Sequence, residues 1–406
     1  MREMAALLGD PHTAYPTIHL TGTNGKGSTS ALCSMLLIAM GLSVGTYTSP
    51  NLERVNERIA ANGQPLSDVD FVEAIDRLRL LDGVLDERPT RFELLTMAAF
   101  SAFADLAVDV GVIEVGMGGT WDSTNIIDAA VSIVTNIELD HVEVLGATRE
   151  EIAMDKSGIF REGGVAIIGE TDPTIAALLR TCAAHRGVAR VLGLGAEISV
   201  DRNELAVGGR VVSIRTPYGS HDDVFLALNG PHQARNAALA VAAVEAFFDR
   251  QLPDDVVCQA FELVTMAARL EVLGRSPLVI LDGAHNVAGA TALAQALAEG
   301  FSVAGQTILV TGMLRGRDAS NVLSALLLGG AVTVIATEPD TPRAQAAAVV
   351  GDAARALGHE VLVELDIERA IERALKMATE DDLVVVAGSL YVAGAARPAL
   401  RRMLSA

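Results

Sequence analysis

The apolar positions of the chain fall into short, β-branched runs. Between them lie longer stretches in which apolar residues recur every three or four positions. "TIHLT" (Thr17–Thr21), "VGVIEV" (Val110–Val115), "VSIVTNI" (Val131–Ile137) and "VAIIG" (Val165–Gly169) read as strands buried on both faces. "DVDFVEAIDRLRLL" (Asp68–Leu81) and "FELLTMAAFSAFADLA" (Phe92–Ala107) carry the helical spacing. Strand alternating with helix predicts an α/β fold with a doubly wound parallel sheet. The texture changes at "AEISVDRNELAVGGRVVSIRT" (Ala196–Thr216), where alternation and the Gly208-Gly209 pair predict an antiparallel hairpin. A helix over "HQARNAALAVAAVEAFF" (His232–Phe248) follows. A second α/β series has strands at "LVILD" (Leu278–Asp282), "TILVTG" (Thr307–Gly312), "AVTVIAT" (Ala331–Thr337), "EVLVEL" (Glu360–Leu365) and "LVVVAG" (Leu383–Gly388). Glycine and proline in "EVLGRSP" (Glu271–Pro277) place the join there. The expected domains are therefore residues 1–272 and a smaller one, 273–406, with a site between them as the natural expectation.

Composition narrows the function. The 406 residues suit two domains, and a half-apolar chain has ample core. A formal net charge of −20 repels phosphate backbones, which excludes nucleic acid as an expected partner. Cys33, Cys182 and Cys258 are far apart and form no CxxC pair, so neither a zinc site nor a disulfide framework is expected. "MREMAALLGDPHTAYP" contains two acids and no long apolar stretch, unlike a signal peptide. "ALCSMLLIAMGL" (Ala31–Leu42) falls short of the ~20 residues of a membrane span. A soluble cytoplasmic protein is expected.

The chemistry begins at "TIHLTGTNGKGSTSALCSML" (Thr17–Leu36): a strand, then glycines, then a helix. That order makes a phosphate cradle, in which backbone N–H groups and the positive helix end face an anion. Lys26 adds a point charge for the β- and γ-phosphates, and Ser28 or Thr29 offers a hydroxyl near a magnesium ion. Ligands of parallel α/β sheets bind at the carboxyl ends of strands. Glu114, Asp140 and His141 stand at such ends in the first series, with Lys156 close behind, and Asp282 and His285 do so in the second. Taken singly each has an ordinary explanation: a helix-start charge, a satisfied histidine, a solvated lysine, or a helix cap for Asp282. Together, on successive strands of one phosphate-loop domain, Glu114, His141 and Lys156 define a candidate magnesium–ATP site.

"TGTNGKGST", "YTSPNLERVNERI", "VIEVGMGGTWDSTN", "TNIELDH", "DKSGIFR", "HQARNAALA" and "LDGAHN" occur in that order. This series resembles the folylpolyglutamate synthase/dihydrofolate synthase family of Mur ligases, over nearly the whole chain. The resemblance implies a phosphate-loop Mur-type domain joined to a smaller Rossmann-like domain. It implies a cytoplasmic, monomeric enzyme of folate metabolism that closes its domains over ATP. ATP would phosphorylate a pteroate or folate carboxylate, and the amine of L-glutamate would displace the phosphate. By the same resemblance Asn24, Gly25, Lys26, Gly27 and Ser28 cradle the phosphates, and Asn236, Arg269 and Asp282 complete the nucleotide contacts. Ser49, Glu114 and His141 hold magnesium, and Lys156 carries a carbamate that helps hold a second metal. Phe92, Trp121, Asp122 and Ser123 face the pterin. Lys26, Lys156 and His285 take part in catalysis, and Ser389, like His285, lies on the glutamate and phosphate side.

Four features depart from the family pattern. Thr120 stands where arginine is usual, Ala267-Ala268 replace Pro-Gly before Arg269, Val287 replaces a proline, and the segment before the first strand is short. Losing the Pro-Gly changes the stiffness and permitted angles of the join, and the four departures bear on the acceptor acid and the pterin pocket more than on ATP binding. A Mur-type ligase for a non-folate acid and a non-catalytic nucleotide-binding homologue stay open as alternatives. A GTPase reading fails because "TNIELD" lacks the lysine of a guanine-reading Asn-Lys-x-Asp motif.

Overall fold

The computed structural model describes residues 1–81, 83–85, 87–327 and 332–405. They form two compact units. One comprises Met1–Ala206, Arg210–Ala227 and His232–Val264; the other comprises Thr265–Ala406 with Val207–Gly209 and Leu228–Pro231.

The first unit is built on eight strands: β1 (Thr17–Thr21), β2 (Val44–Tyr47), β3 (Ile59–Ala61), β4 (Gln64–Pro65), β5 (Val110–Glu114), β6 (Val131–Val134), β7 (Val165–Ile168) and β8 (Arg190–Gly193). Their order is β4-β3-β2-β5-β1-β6-β7-β8. β3 pairs antiparallel with β2 and with β4, whereas the ladders from β2 through β8 are parallel. The chain leaves β1 for β2 on one side and later crosses from β5 to β6 on the other. The order thus reverses beside β1, which opens a crevice at its carboxyl end. Tyr47, Phe100, Phe103 and Ile113 pack in one core cluster, and Val134, Ile152, Phe160 and Ile168 in another. Strands covered on both faces explain the unbroken apolar runs. The helix Lys26–Ala39 packs against His232–Phe248 and Asp254–Leu263.

The predicted hairpin has a third strand. β9 (Ser199–Ala206), β10 (Gly209–Thr216) and β11 (Gly219–Leu226) lie in the order β11-β10-β9. A bulge conceals β11 from periodicity: Val212 pairs with Val224 but Ile214 with His221, and Asp223 has φ +56°. Two buried positions, His221 and Val224, are thereby three residues apart rather than two or four.

His221 is fully buried, and it fastens this sheet to the helices beside it. Its Nε2 lies 3.0 Å from Glu245 Oε1 and its Nδ1 2.7 Å from Asp254 Oδ1. The Thr216 hydroxyl donates to the other Glu245 oxygen. Burial lowers the imidazole pKa, but the two carboxylates outweigh it and the net shift is upward.

In the second unit the strands are β12 (Glu271–Arg275), β13 (Leu278–Leu281), β14 (Thr307–Thr311), β15 (Val332–Ala336), β16 (Glu360–Val363) and β17 (Leu383–Ala387). They lie in the order β12-β13-β17-β14-β15-β16, and only the β12–β13 ladder is antiparallel among those described. Ile280, Leu309, Leu323, Val334 and Val385 belong to its core. The stretch expected to be a join, Glu271–Pro277, is therefore an edge strand and a turn rather than a linker. Ala331, expected to open a strand, lies outside the described residues. Elsewhere the expected strands run past the assigned ones by up to three residues, because Val115 and Ile137 stay as buried as strand residues beyond the strand ends, Val115 still donating its N–H to the Leu20 carbonyl.

Removing His221 leaves Glu245 buried without its charge partner, a loss of about 3–5 kcal/mol. His221→Leu is therefore expected to lower the urea midpoint. The raised pKa means the stabilisation is full below the ordinary value of 6.5 and fades as pH rises through the folded value. The difference between the two proteins should shrink accordingly; a constant difference across pH would refute the charged-pair account.

Candidate active site

The loop after β1 is shaped by two glycines and by partners on the loop after β6. Gly25 has φ +83°, a region costly for other residues, and a Cβ there would come within 2.6 Å of Asn236 Oδ1. At Gly22 (φ +149°) a Cβ would collide with the Thr135 side chain. The Asn24 N–H donates to Asn136 Oδ1 at 2.8 Å, and the Thr135 hydroxyl donates to the Asn24 carbonyl at 2.6 Å. Thr23 and Glu138 exchange two further bonds. Lys26, Gly27 and Ser28 open the helix Lys26–Ala39, and the Thr29 Oγ1 is buried without a hydrogen-bond partner.

Two amines meet at this loop. Lys26 Nζ donates to the Gly22 carbonyl at 2.9 Å and to that of Thr23 at 3.3 Å. Lys156 Nζ donates to the same Gly22 carbonyl at 3.1 Å. Lys156 comes from the last residue of the helix Arg149–Lys156, which starts with Thr148 and Glu151 capping each other. Thr120, one of the departures from the family pattern, secures that helix end. Its N–H and hydroxyl both donate to the Asp155 carbonyl, at 3.0 and 2.9 Å. Lys156 is only 4% exposed. Burial first, and then the neighbouring Lys26, bring its pKa from 10.5 down to about 7. Near neutrality a large share of Lys156 is thus a neutral amine.

The other expected residues of this unit line the same sheet edge. Glu114 is the last residue of β5 and is buried beside Leu20 of β1. Ser49 stands two residues beyond β2, half-buried. His141 follows β6 by seven residues with φ +51° and a half-exposed side chain; its N–H donates to Asp140 Oδ1 at 2.8 Å. Asn236, on the helix His232–Phe248, donates to Gln233 at 2.9 Å while its oxygen faces Gly25. Among the described residues no three His, Cys, Asp or Glu side chains are grouped as an all-protein metal cage.

Phe92, second in the helix Arg91–Asp105, sets its ring against Gly116 and at 6.1 Å from the Tyr47 ring. Trp121 is 91% exposed, whereas Asp122 turns inward. Asp122 accepts from the N–H groups of Met117 and Thr124 and from the Thr124 hydroxyl at 2.6 Å. Burial raises its pKa, and these donors only partly offset the rise. Because Thr124 donates to Asp122, it must accept from His19 Nε2, 2.8 Å away. His19 is fully buried and its pKa is pushed down to about 3, so the ring is neutral. Trp121, Asp122 and Ser123 border a cavity of about 370 Å³ that also touches Met1 and Arg2.

In the second unit Asp282, His285 and Ser389 gather at the carboxyl ends of β13 and β17. Asp282 accepts from Leu270 and Ala284 N–H at 2.8 and 2.7 Å; the cap of the next helix is Asn286, not Asp282. Burial raises the Asp282 pKa and the nearby Arg269 opposes that. His285 Nδ1 lies 2.9 Å from the Gly283 carbonyl, and Ser389 caps the helix Leu390–Leu404 by accepting from Tyr391 N–H. Sequence reasoning passed over Thr135, Asn136, His19 and Thr124. Thr135 and Asn136 sit in the quoted "TNIELDH" and Thr124 in "VIEVGMGGTWDSTN", but their roles depend on contacts more than a hundred residues away in sequence.

A strand–glycine loop–helix at a sheet's switch point, with a lysine on the loop, a buried lysine beside it and a strand-end carboxylate, defines a phosphate-loop ligase of the Mur type. The family pattern "Mur ligase middle domain" matches residues 20–244, and "Mur ligase, glutamate ligase domain" matches residues 268–390. The dihydrofolate synthase/folylpolyglutamate synthase of Mycobacterium tuberculosis is 38% identical, over 96% of this chain and 87% of its own length. A solved structure of Mycobacterium tuberculosis folylpolyglutamate synthase complexed with ADP superposes with a TM-score of 0.93 at 37% identity, covering 98% of this chain and 93% of that one. A bifunctional folylpolyglutamate synthase/dihydrofolate synthase with Mn, AMPPNP and L-glutamate bound gives 0.87 at 30% identity, with 98% and 93% covered. The chain belongs to the folylpolyglutamate synthase/dihydrofolate synthase family. Among the described residues no helix is long and apolar enough to cross a membrane.

A lysine whose pKa falls on folding lowers stability in full below the folded value, and the penalty is relieved as pH rises towards the unfolded one. Wild-type stability should therefore rise from about pH 7 towards 10.5 by an increment that Lys156→Met lacks. Denaturant midpoints across this range should show the variant more stable at pH 6.5 and the two curves converging at high pH. Parallel curves would contradict the buried-amine assignment.

Proposed function

We propose that this protein uses ATP and magnesium to join L-glutamate to the carboxylate of dihydropteroate or of a folate. The observation that carries the reading is the convergence of Lys26 and Lys156 on the Gly22 carbonyl at the mouth of a glycine loop. A carboxylate is a poor electrophile until one oxygen becomes a leaving group. In the proposed reaction the acceptor carboxylate attacks the γ-phosphorus and ADP departs; the glutamate amine then attacks the acyl carbon and phosphate departs. The loop N–H groups and Lys26 would neutralise charge on the transferred group. Asn24, Gly25, Gly27, Ser28, Asn236, Arg269 and Asp282 would bind nucleotide. Phe92 and Trp121–Ser123 would face the pterin, and His285 and Ser389 the glutamate and phosphate side.

The donor set suits magnesium, which takes few protein oxygens and completes its shell with water and phosphate. Ser49, Glu114 and His141 would hold it, and when bound it supplies positive charge to the phosphates. A neutral Lys156 amine can add to carbon dioxide and lose a proton. We assign it that carbamate, whose oxygens suit a second metal. The unit that ends at Val264 would form the ATP-binding part and the unit from Thr265 onward the glutamate-ligase part of a cytoplasmic monomer.

Glutamate-dependent ADP release, measured separately with dihydropteroate and tetrahydrofolate, tests the reading. Turnover with either is expected, and Lys156→Ala should abolish it. Absence of turnover with both acceptors would shift the assignment to a Mur-type ligase for another acid.

A further inference from the structure

Arg269 is displayed by a turn with unusual backbone on both sides. Ala268 and Leu270 have φ of +52° and +48°. For residues bearing a Cβ, that left-handed conformation costs about 1–2 kcal/mol each. Three contacts oppose the cost. Leu270 N–H donates to Asp282 Oδ2 at 2.8 Å, Gly283 N–H donates to the Ala268 carbonyl at 2.8 Å, and Ala268 N–H donates to Glu271 Oε2 at 2.9 Å.

Glu271 is itself held from a distant part of the unit. Arg397, on the helix Leu390–Leu404, grips it with a two-pronged contact: Nε to Oε2 and Nη2 to Oε1, each at 2.8 Å. Both side chains are only 15% exposed, and Arg401 adds a second positive charge at 3.6 Å. Such a planar fork fixes the carboxylate's orientation as well as its position, which an ammonium does not. The orientation matters because the oxygen that accepts from Ala268 is one of the two gripped by Arg397. Beyond the turn, the Arg269 guanidinium reaches Gly283, where a Cβ would stand 3.2 Å from Nη1.

We infer that Glu271 and Arg397 are positioning residues for Arg269. Their ion pair clamps the left-handed turn and so aims the Arg269 guanidinium past Gly283 beside Asp282. Arg269 acts here as the nucleotide contact proposed above, so this role deepens that reading and depends on it. Neither Glu271 nor Arg397 needs to touch substrate. The pair sets the orientation entropy that Arg269 would otherwise lose on binding nucleotide. The pair also accounts for how this chain sustains the turn with Ala268, where the family pattern has a glycine that tolerates the same φ.

Steady-state kinetics on the full-length enzyme, varying ATP, acceptor and glutamate in turn, test this with Arg269→Ala, Glu271→Gln, Arg397→Met, Arg397→Lys and the Arg269→Ala/Glu271→Gln double variant. Arg269→Ala should raise KM for ATP about tenfold. Glu271→Gln and Arg397→Met should each raise it about fivefold, with KM for glutamate and kcat within about twofold of wild type. Arg397→Lys, which keeps the charge but loses the fork, should fall between wild type and Arg397→Met and serves if Arg397→Met melts below assay temperature. The double variant should match Arg269→Ala alone, because residues acting through one group do not add. An unchanged KM for ATP in Glu271→Gln and Arg397→Met, alongside a raised one in Arg269→Ala, overturns the positioning role. So does an additive double variant. An unchanged KM in Arg269→Ala removes the nucleotide role of Arg269 itself and the positioning role with it.

Discussion

Two lysine amines donating to one carbonyl oxygen is the constraint on which the site is built. Lys26 and Lys156 both reach Gly22, at 2.9 and 3.1 Å. Two full positive charges so close, one of them buried, would repel strongly in a medium of low polarity. The pair is tenable because burial and Lys26 together bring Lys156 down to about 7. Much around it serves that arrangement. Gly22 and Gly25 let the loop fold under Thr135 and Asn236, and Thr120 and the Thr148–Glu151 cap hold the helix that carries Lys156. The result is one cation at the mouth of the glycine loop beside one amine that is largely neutral near pH 7.

The architecture was largely legible because the two parallel sheets are covered on both faces and their strands read as continuous apolar runs. What escaped was short, polar or irregular. β11 hid behind a bulge at Asp223, and β12 looked like a linker because "EVLGRSP" carries the glycine and proline usual in one. Strand ends were overrun for a related reason: hydrophobicity marks burial and not the last ladder bond, and here the chain stays buried as it curves into the ligand loops.

The site divides the same way. Lys26, Glu114, His141 and Asp282 could be singled out because each lies at or near the carboxyl end of a strand, and Lys156, at the end of a helix, because it stands in the family series as "DKSGIFR". Their supports could not. His19 sits in the middle of β1 as an apolar-looking position, and only the fold brings it to Thr124 and thence to Asp122. Glu271 and Arg397 are 126 residues apart, and no local pattern links them. The Ala267-Ala268 departure looked like a change of stiffness. In the fold Ala268 instead holds the left-handed backbone a glycine would adopt, with carboxylates on either side sustaining it.

The central claim is that the acceptor carboxylate is activated as an acyl phosphate at this loop. Acceptor labelled with 18O in its reacting carboxylate tests it directly, by mass spectrometry of the inorganic phosphate released during glutamate-dependent turnover. One labelled oxygen per turnover should appear in the phosphate, because the carboxylate oxygen leaves bonded to phosphorus. Unlabelled phosphate, with amide formed at the normal rate, would contradict the account.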